Sequence, residues 1–241
     1  MPKPLVSVVM SAYNGQRYLN DAIASVLSQD FRDFELVVVN DGSTDGTASL
    51  LEAVSVLDSR VHILTNEFNR GLAASLNRGL SVCDGEFVVR LDADDMSKKN
   101  RISTQLTQFR KDEKLILLGS NANYIDAAGL RLGGSDLPRN DWTIRALFGI
   151  INPFCHSSVM MRNTLLTRHQ LTYDESYEIA QDYEFWSRLL KFGRVKNLSE
   201  PLVNLRLHSK SVSETKKEMR VQNVRVQEKY LEELFGGGSD G

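Results

Sequence analysis

The chain has 241 residues, an apolar fraction of 41%, a charged fraction of 25% and a formal net charge of -2 at pH 7. That is enough to bury a core in one large α/β domain or two small ones; the near-neutral charge balance argues against nucleic-acid binding. Two cysteines, Cys83 and Cys155, make neither a disulfide framework nor a zinc site.

The predicted elements begin with a buried strand over Leu5–Ser11 (LVSVVMS), punctuated by Tyr13-Asn14-Gly15, and a helix over Tyr18–Leu27 whose apolar residues recur at helical spacing. Phe34–Val39 is a second strand, closed by Asn40-Asp41-Gly42-Ser43; a helix over Thr47–Leu57, a strand over Val61–Thr65, a helix over Leu72–Val82 and a strand over Glu86–Leu91 follow. This alternation predicts βαβ units and a mostly parallel, Rossmann-like sheet covered on both faces. Ligands bind outside the carboxyl ends of such strands, where Ala12-Tyr13-Asn14, Asn40-Asp41-Gly42 and Asp92-Ala93-Asp94-Asp95 fall.

Beyond Arg101 the pattern turns to α+β. Helices are expected over Ile102–Phe109, Asp141–Gly149 and Tyr183–Phe192, and strands over Leu115–Gly119, Ser158–Met161 and Val203–Leu207. Asn121–Leu132 reads as a strand or hairpin turning at Ala127-Ala128-Gly129, and Asn152–Ser157 as a loop. Glu214–Phe235 reads as a basic amphipathic helix that packs on its own domain or a twin subunit, or rests on an anionic membrane surface. Residues 236–241 read as a flexible tail. No apolar run reaches the roughly 20 residues of a membrane span, and no signal-peptide pattern is present, so a cytoplasmic protein with free thiols is expected.

Three carboxylates in Asp92-Ala-Asp94-Asp95 repel one another unless a cation sits among them. Oxygen ligands suit Mg²⁺ or Mn²⁺, which typically takes one or two carboxylates together with substrate phosphates. The alternative is a solvated acidic turn in which Asp94 or Asp95 caps the next helix. Asp41, ahead of its turn, can accept from a nucleoside base or ribose, while Ser43, Asp45 and Thr47 read as caps. Asn69 reads as a helix cap, with Gly71 letting a ligand approach and Arg70 and Arg78 able to face phosphates. Asp182 stands at a helix start, where the dipole favours its ionised form, so it suits a general base with Tyr183 and Trp186 forming an apolar rim; a capping role explains it about as well. His156 and His208 are the histidines best placed for ligand.

Taken in order, VSVVMSAYNG, VVVNDGSTDGT, NRGLAASLNRGL, DGEFVVRLDADD, NPFCHSSVMMR, AQDYEFWSRL and LRLHSKSVS resemble the family 2 glycosyltransferases of the GT-A fold, over about Leu5–Ser213. The resemblance implies a GT-A catalytic domain over residues 1–213, with a nucleotide-sugar lobe (1–100) and an acceptor lobe (101–213). It implies inverting transfer from a nucleotide-diphospho-sugar donor, UDP-linked in most cases, to a glycan or lipid-linked acceptor in surface polysaccharide synthesis. Ala12, Tyr13, Asn14, Asp41, Asn69 and Gly71 would border the nucleotide, joined by Asp92 and Ala93. Asp94 and His208 would hold the metal, Asp182 would be the base, and His156 and Trp186 would lie on the acceptor side. Gln181 stands where the family commonly has Glu. The Q-x-x-R-W motif of processive synthases is absent, which favours transfer of one sugar per encounter. A sugar-phosphate nucleotidyltransferase would bring a Gly- and Arg-rich first loop, for which SAYNGQRY is a poor substitute. A nucleotide-binding protein without activity would not need Asp41, Asp92, Asp94 and Asp182 together.

Overall fold

A computed structural model describes residues 3–207 and 216–235. The first strand, β1 (Val6–Ala12), is buried apart from Ser11, as a central strand covered on both faces must be. It lies between β2 (Phe34–Asn40), buried along its whole length, and β4 (Phe87–Arg90), both parallel to it, and β3 (Val61–Thr65) adds a parallel strand beyond β2. The crossovers are α1 (Leu19–Leu27), α2 (Thr47–Leu57) and α3 (Leu72–Leu80). α1 presents Leu19, Ala22, Ile23 and Val26 to the core, the stripe that a 3.6-residue period generates.

The sheet continues without a break into the second half. Its order is β3-β2-β1-β4-β8-β6-β9-β5, with β7 paired to β6, nine strands among the described residues. β8 (Met160–Arg162) joins antiparallel to β4 and to β6 (Leu115–Ile125), and β6 runs parallel to β9 (Arg194–Arg206). β5 (Met96–Ser97) ends the order against β9, and β7 (Arg131–Gly134) pairs antiparallel with the far part of β6. Around this half pack α4 (Arg101–Lys111), α5 (Asp141–Leu147), α6 (Asn163–Arg168) and α7 (Gln181–Leu189).

Several boundaries differ from the sequence expectation. β6 does not stop at Gly119. It runs on through Ser120 and Asn121, where its register against β9 shifts twice, and the Asn121 side chain accepts from the Leu137 N–H at 2.9 Å. β9 starts at Arg194 rather than Val203 and carries Pro201 opposite Asn121, at that irregularity, where a strand tolerates a residue that lacks an N–H. α6 had no counterpart in the expected elements.

α8 (Lys216–Phe235) packs on α7. Val226 and Tyr230 are buried, whereas Leu234 and Phe235 are exposed. Both cysteines are free, and burial pushes each thiol up to about 12, so they stay protonated. No helix among the described residues is long and apolar enough to cross a membrane.

Candidate active site

Two strand-end loops of the first half, after β1 and after β2, are tied to each other. The Asn14 N–H donates to Ser43 Oγ at 3.0 Å, the Gly15 N–H to Thr47 Oγ1 at 2.9 Å, and the Gln16 N–H to Asp45 Oδ2 at 3.2 Å. In return, Asn14 Oδ1 accepts from the Thr44 N–H at 2.8 Å. Ser43 and Thr47 therefore lock the loop after β1 to the loop after β2, instead of serving only as caps. Asp45 also accepts from the Thr47 N–H at 3.0 Å. Ala12 is buried, while Tyr13 is half exposed and Asn14 adopts a left-handed φ of 49°.

Asp41 is 2% exposed. Its Oδ1 accepts from Asn66 Nδ2 at 2.7 Å and the Arg70 N–H at 2.9 Å, and its Oδ2 from the Gly71 N–H at 3.0 Å. The carboxylate thus shapes the loop before α3. Asn69 is not the cap of that helix. Gly71 holds the cap position at φ 88°, and Asn69 Oδ1 accepts its N–H at 2.9 Å. A Cβ added at Gly71 would meet nothing within 4 Å, so this backbone faces open space. Arg78 is half-buried, its Nη1 donating to the Thr65 carbonyl at 2.7 Å and to Asn66 Oδ1.

One carboxylate of the acidic run, Asp92, is already paired with a buried arginine, and a second buried arginine, Arg206, reaches the run through backbone groups. Arg90, 1% exposed, pairs with Asp92 Oδ2 and donates to Ser157 Oγ at 3.2 Å. Ser157 donates in turn to Asp92 at 2.8 Å. Burial alone would raise the Asp92 carboxyl, but the Arg90 charge and these hydrogen bonds hold it below the usual carboxylate range. Arg206, 4% exposed, donates its main-chain N–H to Asp95 Oδ1 at 2.8 Å and its Nε to the Asp94 carbonyl at 3.0 Å. Asp95 is sunk to 2% exposure, and burial with the charges of Asp92 and Asp94 pushes its pKa well up. Neither Asp94 nor Asp95 caps a helix, since α4 begins after Asn100. Ala93 borders the first loop, 3.9 Å from where a Cβ on Gly15 would lie. The carboxylate most open to solvent chemistry is the half-buried pair of Asp92 and Asp94. Among the described residues no group of three or more His, Cys, Asp or Glu could hold a metal. An ion here would rely on substrate oxygens, as Mg²⁺ commonly does.

The second half closes over this run. His156 Nε2 and the Tyr173 hydroxyl lie 2.8 Å apart, and the His156 ring meets the Trp186 edge at 5.8 Å between centroids. Burial, followed by the Arg90 charge, pushes the His156 pKa well below its ordinary value, so the imidazole is neutral at pH 7. Asp182 lies in the first turn of α7, after Ala180 at a left-handed φ of 67°. Its Oδ2 accepts from Asn152 Nδ2 at 2.8 Å and its Oδ1 from the Tyr183 N–H at 2.7 Å. Burial nevertheless raises its pKa, and the charges of Arg90 and Asp92 both reach it. The charge of Asp92 thus bears on a carboxylate 90 positions later in the sequence.

Trp186 and Tyr183 form no exposed rim. Both are 0% exposed, so Trp186 supports the site from beneath and has no surface to offer an acceptor. His208 lies outside the described residues. The sequence reading passed over Arg90, Ser157, Asn152, Tyr173 and Arg206. Arg90 did carry a signal, a lone charge inside the apolar strand EFVVRL; the others are ordinary loop and strand residues until the fold assembles them.

The geometry agrees with the relatives of the chain. Residues 7–169 match the model of glycosyl transferase family 2. The chain belongs to that family. It is 35% identical over 237 residues to an uncharacterised glycosyltransferase of Haemophilus influenzae, a match covering 92% of this chain and 73% of that protein. It is 29% identical over 215 residues to the O-antigen biosynthesis glycosyltransferase WbnJ of Escherichia coli, covering 88% and 83%. Two solved structures share the fold. TarS 1–349 of S. aureus in complex with UDP superposes with a TM-score of 0.71 at 20% identity, covering 97% of this chain and 72% of that one. The mannosyltransferase PcManGT of Pyrobaculum calidifontis, in complex with GDP-Man and Mn²⁺, gives 0.68 at 17% identity, covering 100% and 67%. The protein is therefore a glycosyltransferase with a GT-A fold, and its relatives include enzymes of polysaccharide biosynthesis.

Proposed function

We propose that this glycosyltransferase moves one sugar per encounter, with inversion, from a UDP-sugar to a hydroxyl of a glycan or lipid-linked acceptor. The observation that carries the reading is Asp182, half-buried, raised in pKa by burial, and within electrostatic reach of the Arg90–Asp92 pair at the end of β4. A general base works best with a pKa raised toward the operating pH. Asp182 takes the proton of the acceptor hydroxyl. The acceptor oxygen then forms its bond to the anomeric carbon as the bond to the diphosphate breaks on the opposite face, and the electron pair leaves with the diphosphate.

The tied loops after β1 and β2, with the Asp41-ordered loop at Gly71, border the nucleotide, and the open space at Gly71 supports close approach there. Asp92, fixed by Arg90, and Ala93 face the ribose or phosphate side. A hard divalent ion, Mn²⁺ or Mg²⁺, would be held by Asp94 and the oxygens of the diphosphate, with His208, outside the described residues, proposed from the family resemblance as a further ligand. When bound, such an ion neutralises the charge that develops on the leaving diphosphate. His156, neutral and tied to Tyr173, contributes to the acceptor side without carrying a charge.

The test is a panel of UDP- and GDP-sugars with Mn²⁺, scored for donor hydrolysis and for the anomeric configuration of the product. Asp182→Asn should bind UDP as tightly as the wild type and lose roughly a hundredfold or more in transfer. Transfer at the wild-type rate by Asp182→Asn would overturn the base assignment. Asp94→Ala should weaken metal-dependent UDP binding, and an unchanged affinity would count against its ligand role.

A further inference from the structure

Asp182 meets two opposed demands: burial favours its protonated form, whereas a base must be ionised and aimed. Two donors reach its carboxylate. The Tyr183 N–H comes from its own helix, but the Asn152 amide comes from a segment 30 residues earlier, and it occupies Oδ2 at 2.8 Å. The amide is not free to turn. Asn152 Oδ1 accepts from the Phe154 N–H at 3.2 Å, which leaves the NH₂ end directed at Asp182. The next residue, Pro153, is pinned as well: its carbonyl accepts at 2.9 Å from Asn197 Nδ2 on β9, and Asn197 also donates to the Pro138 carbonyl at 2.8 Å. The donor is thus braced on the sheet.

We propose that Asn152 is a positioning residue for the transfer reaction, its amide clamping Asp182 Oδ2 so that the carboxylate meets the acceptor hydroxyl in one fixed orientation. The inference rests on Asp182 being the base. The acceptor proton passes to Asp182, and Asn152 gives up none. A hydrogen bond to the charged form also favours ionisation, so losing Asn152 leaves burial less opposed. The other groups that bear on Asp182 are Arg90, which favours its ionised form, Asp92, which opposes it, and Tyr173 and Tyr183, whose hydroxyls burial keeps protonated; His156, against the same helix, is neutral.

The test is a carboxyl ¹³C NMR titration of aspartate-labelled protein, with the Asp182 resonance assigned by its loss in Asp182→Asn. In Asn152→Ala the midpoint should rise by about one pH unit, and in Asn152→Asp further, because a second carboxylate then faces the first. The acid limb of kcat/KM for hydrolysis of UDP-glucose, or of whichever UDP-sugar the wild type turns over, should move with it. kcat at pH 7 should fall about tenfold, with UDP affinity unchanged. Asn152→Ser, whose donor is too short to span the gap, gives the same reading if Asn152→Ala does not fold. A midpoint and kcat equal to the wild type in these variants would overturn the proposal. If Asp182→Asn is inactive in that case, only the role of Asn152 has failed; if Asp182→Asn transfers sugar normally, the base assignment has failed.

Discussion

Arg90 and Asp182 show how burial and charge divide the labour of single residues here. Arg90 is 1% exposed and its pairing with Asp92 compensates its charge. Asp92→Ala should therefore cost about 3–5 kcal/mol in urea unfolding at pH 7, since it leaves a buried cation without its partner. A cost within error of zero would mean that Arg90 is balanced elsewhere. The folded-state pKa of Asp92 is depressed, so its contribution is present above the unfolded value of about 3.9 and is lost as pH falls through the folded value. Asp182 has the opposite sign. Its folded pKa is raised, so the folded state loses stability as pH rises through the unfolded and then the folded value, and at pH 7 the ionised group opposes folding. Asp182→Asn should melt slightly above the wild type at pH 7 while losing transfer, and the gap should close below about pH 4. A lower melting temperature at pH 7 would contradict the burial argument. Stability sacrificed at a working residue is a common feature of active sites.

At the scale of elements, the proposed nucleotide role of the loop leading into α3 depends on its backbone geometry. Gly71 combines a φ of 88° with open space at its missing Cβ, whereas a Cβ on Gly42, at φ 67°, would collide with the Phe68 backbone. Gly71→Ala should therefore cost about 1–2 kcal/mol from backbone strain alone and weaken UDP binding, read by thermal unfolding and calorimetry. Intact UDP affinity would remove Gly71 from the nucleotide site. Gly42 was legible in the sequence as part of a turn. So were α2 and β3, whose bounds, Thr47–Leu57 and Val61–Thr65, agree with the expected ones, because βαβ units follow local periodicity. The second half was less legible. β9 hides behind Pro201 and a lysine- and asparagine-bearing start, and β6 behind Gly119-Ser120-Asn121, where the Asn121 side chain finds its partners far along the chain, the Leu137 N–H among them. The acidic run was legible as a cluster of carboxylates, but the pairing of Asp92 with Arg90 was not, because that contact leaves no spacing signal.

Across the whole molecule, the continuous sheet makes Asp92 and Asp182 parts of one body, and the helix that bears Asp182 is braced from outside by α8. Lys191 pairs with Glu233 at 2.6 Å and Lys229 with Glu184 at 3.5 Å. The stronger brace is apolar. Tyr230 stacks on Phe148 at 4.7 Å between centroids, Phe148 stacks on Tyr183 at the same spacing, and Tyr183 adjoins Asp182. The Tyr230 hydroxyl also donates to the Arg145 carbonyl at 3.2 Å. A buried aromatic removed from such a row leaves a cavity that its neighbours fill only in part. Tyr230→Ala should cost about 3 kcal/mol and lower kcat, because Phe148 and Tyr183 lose the wall that fixes the first turn of α7. Leu234→Ala, on the same helix but 56% exposed, should change stability by less than about 0.5 kcal/mol and leave kcat alone. Thermal unfolding and transfer rates of the two variants decide the matter. A Tyr230→Ala protein that is destabilised yet turns over at the wild-type rate below its melting range would show that α8 supports the fold without supporting the base.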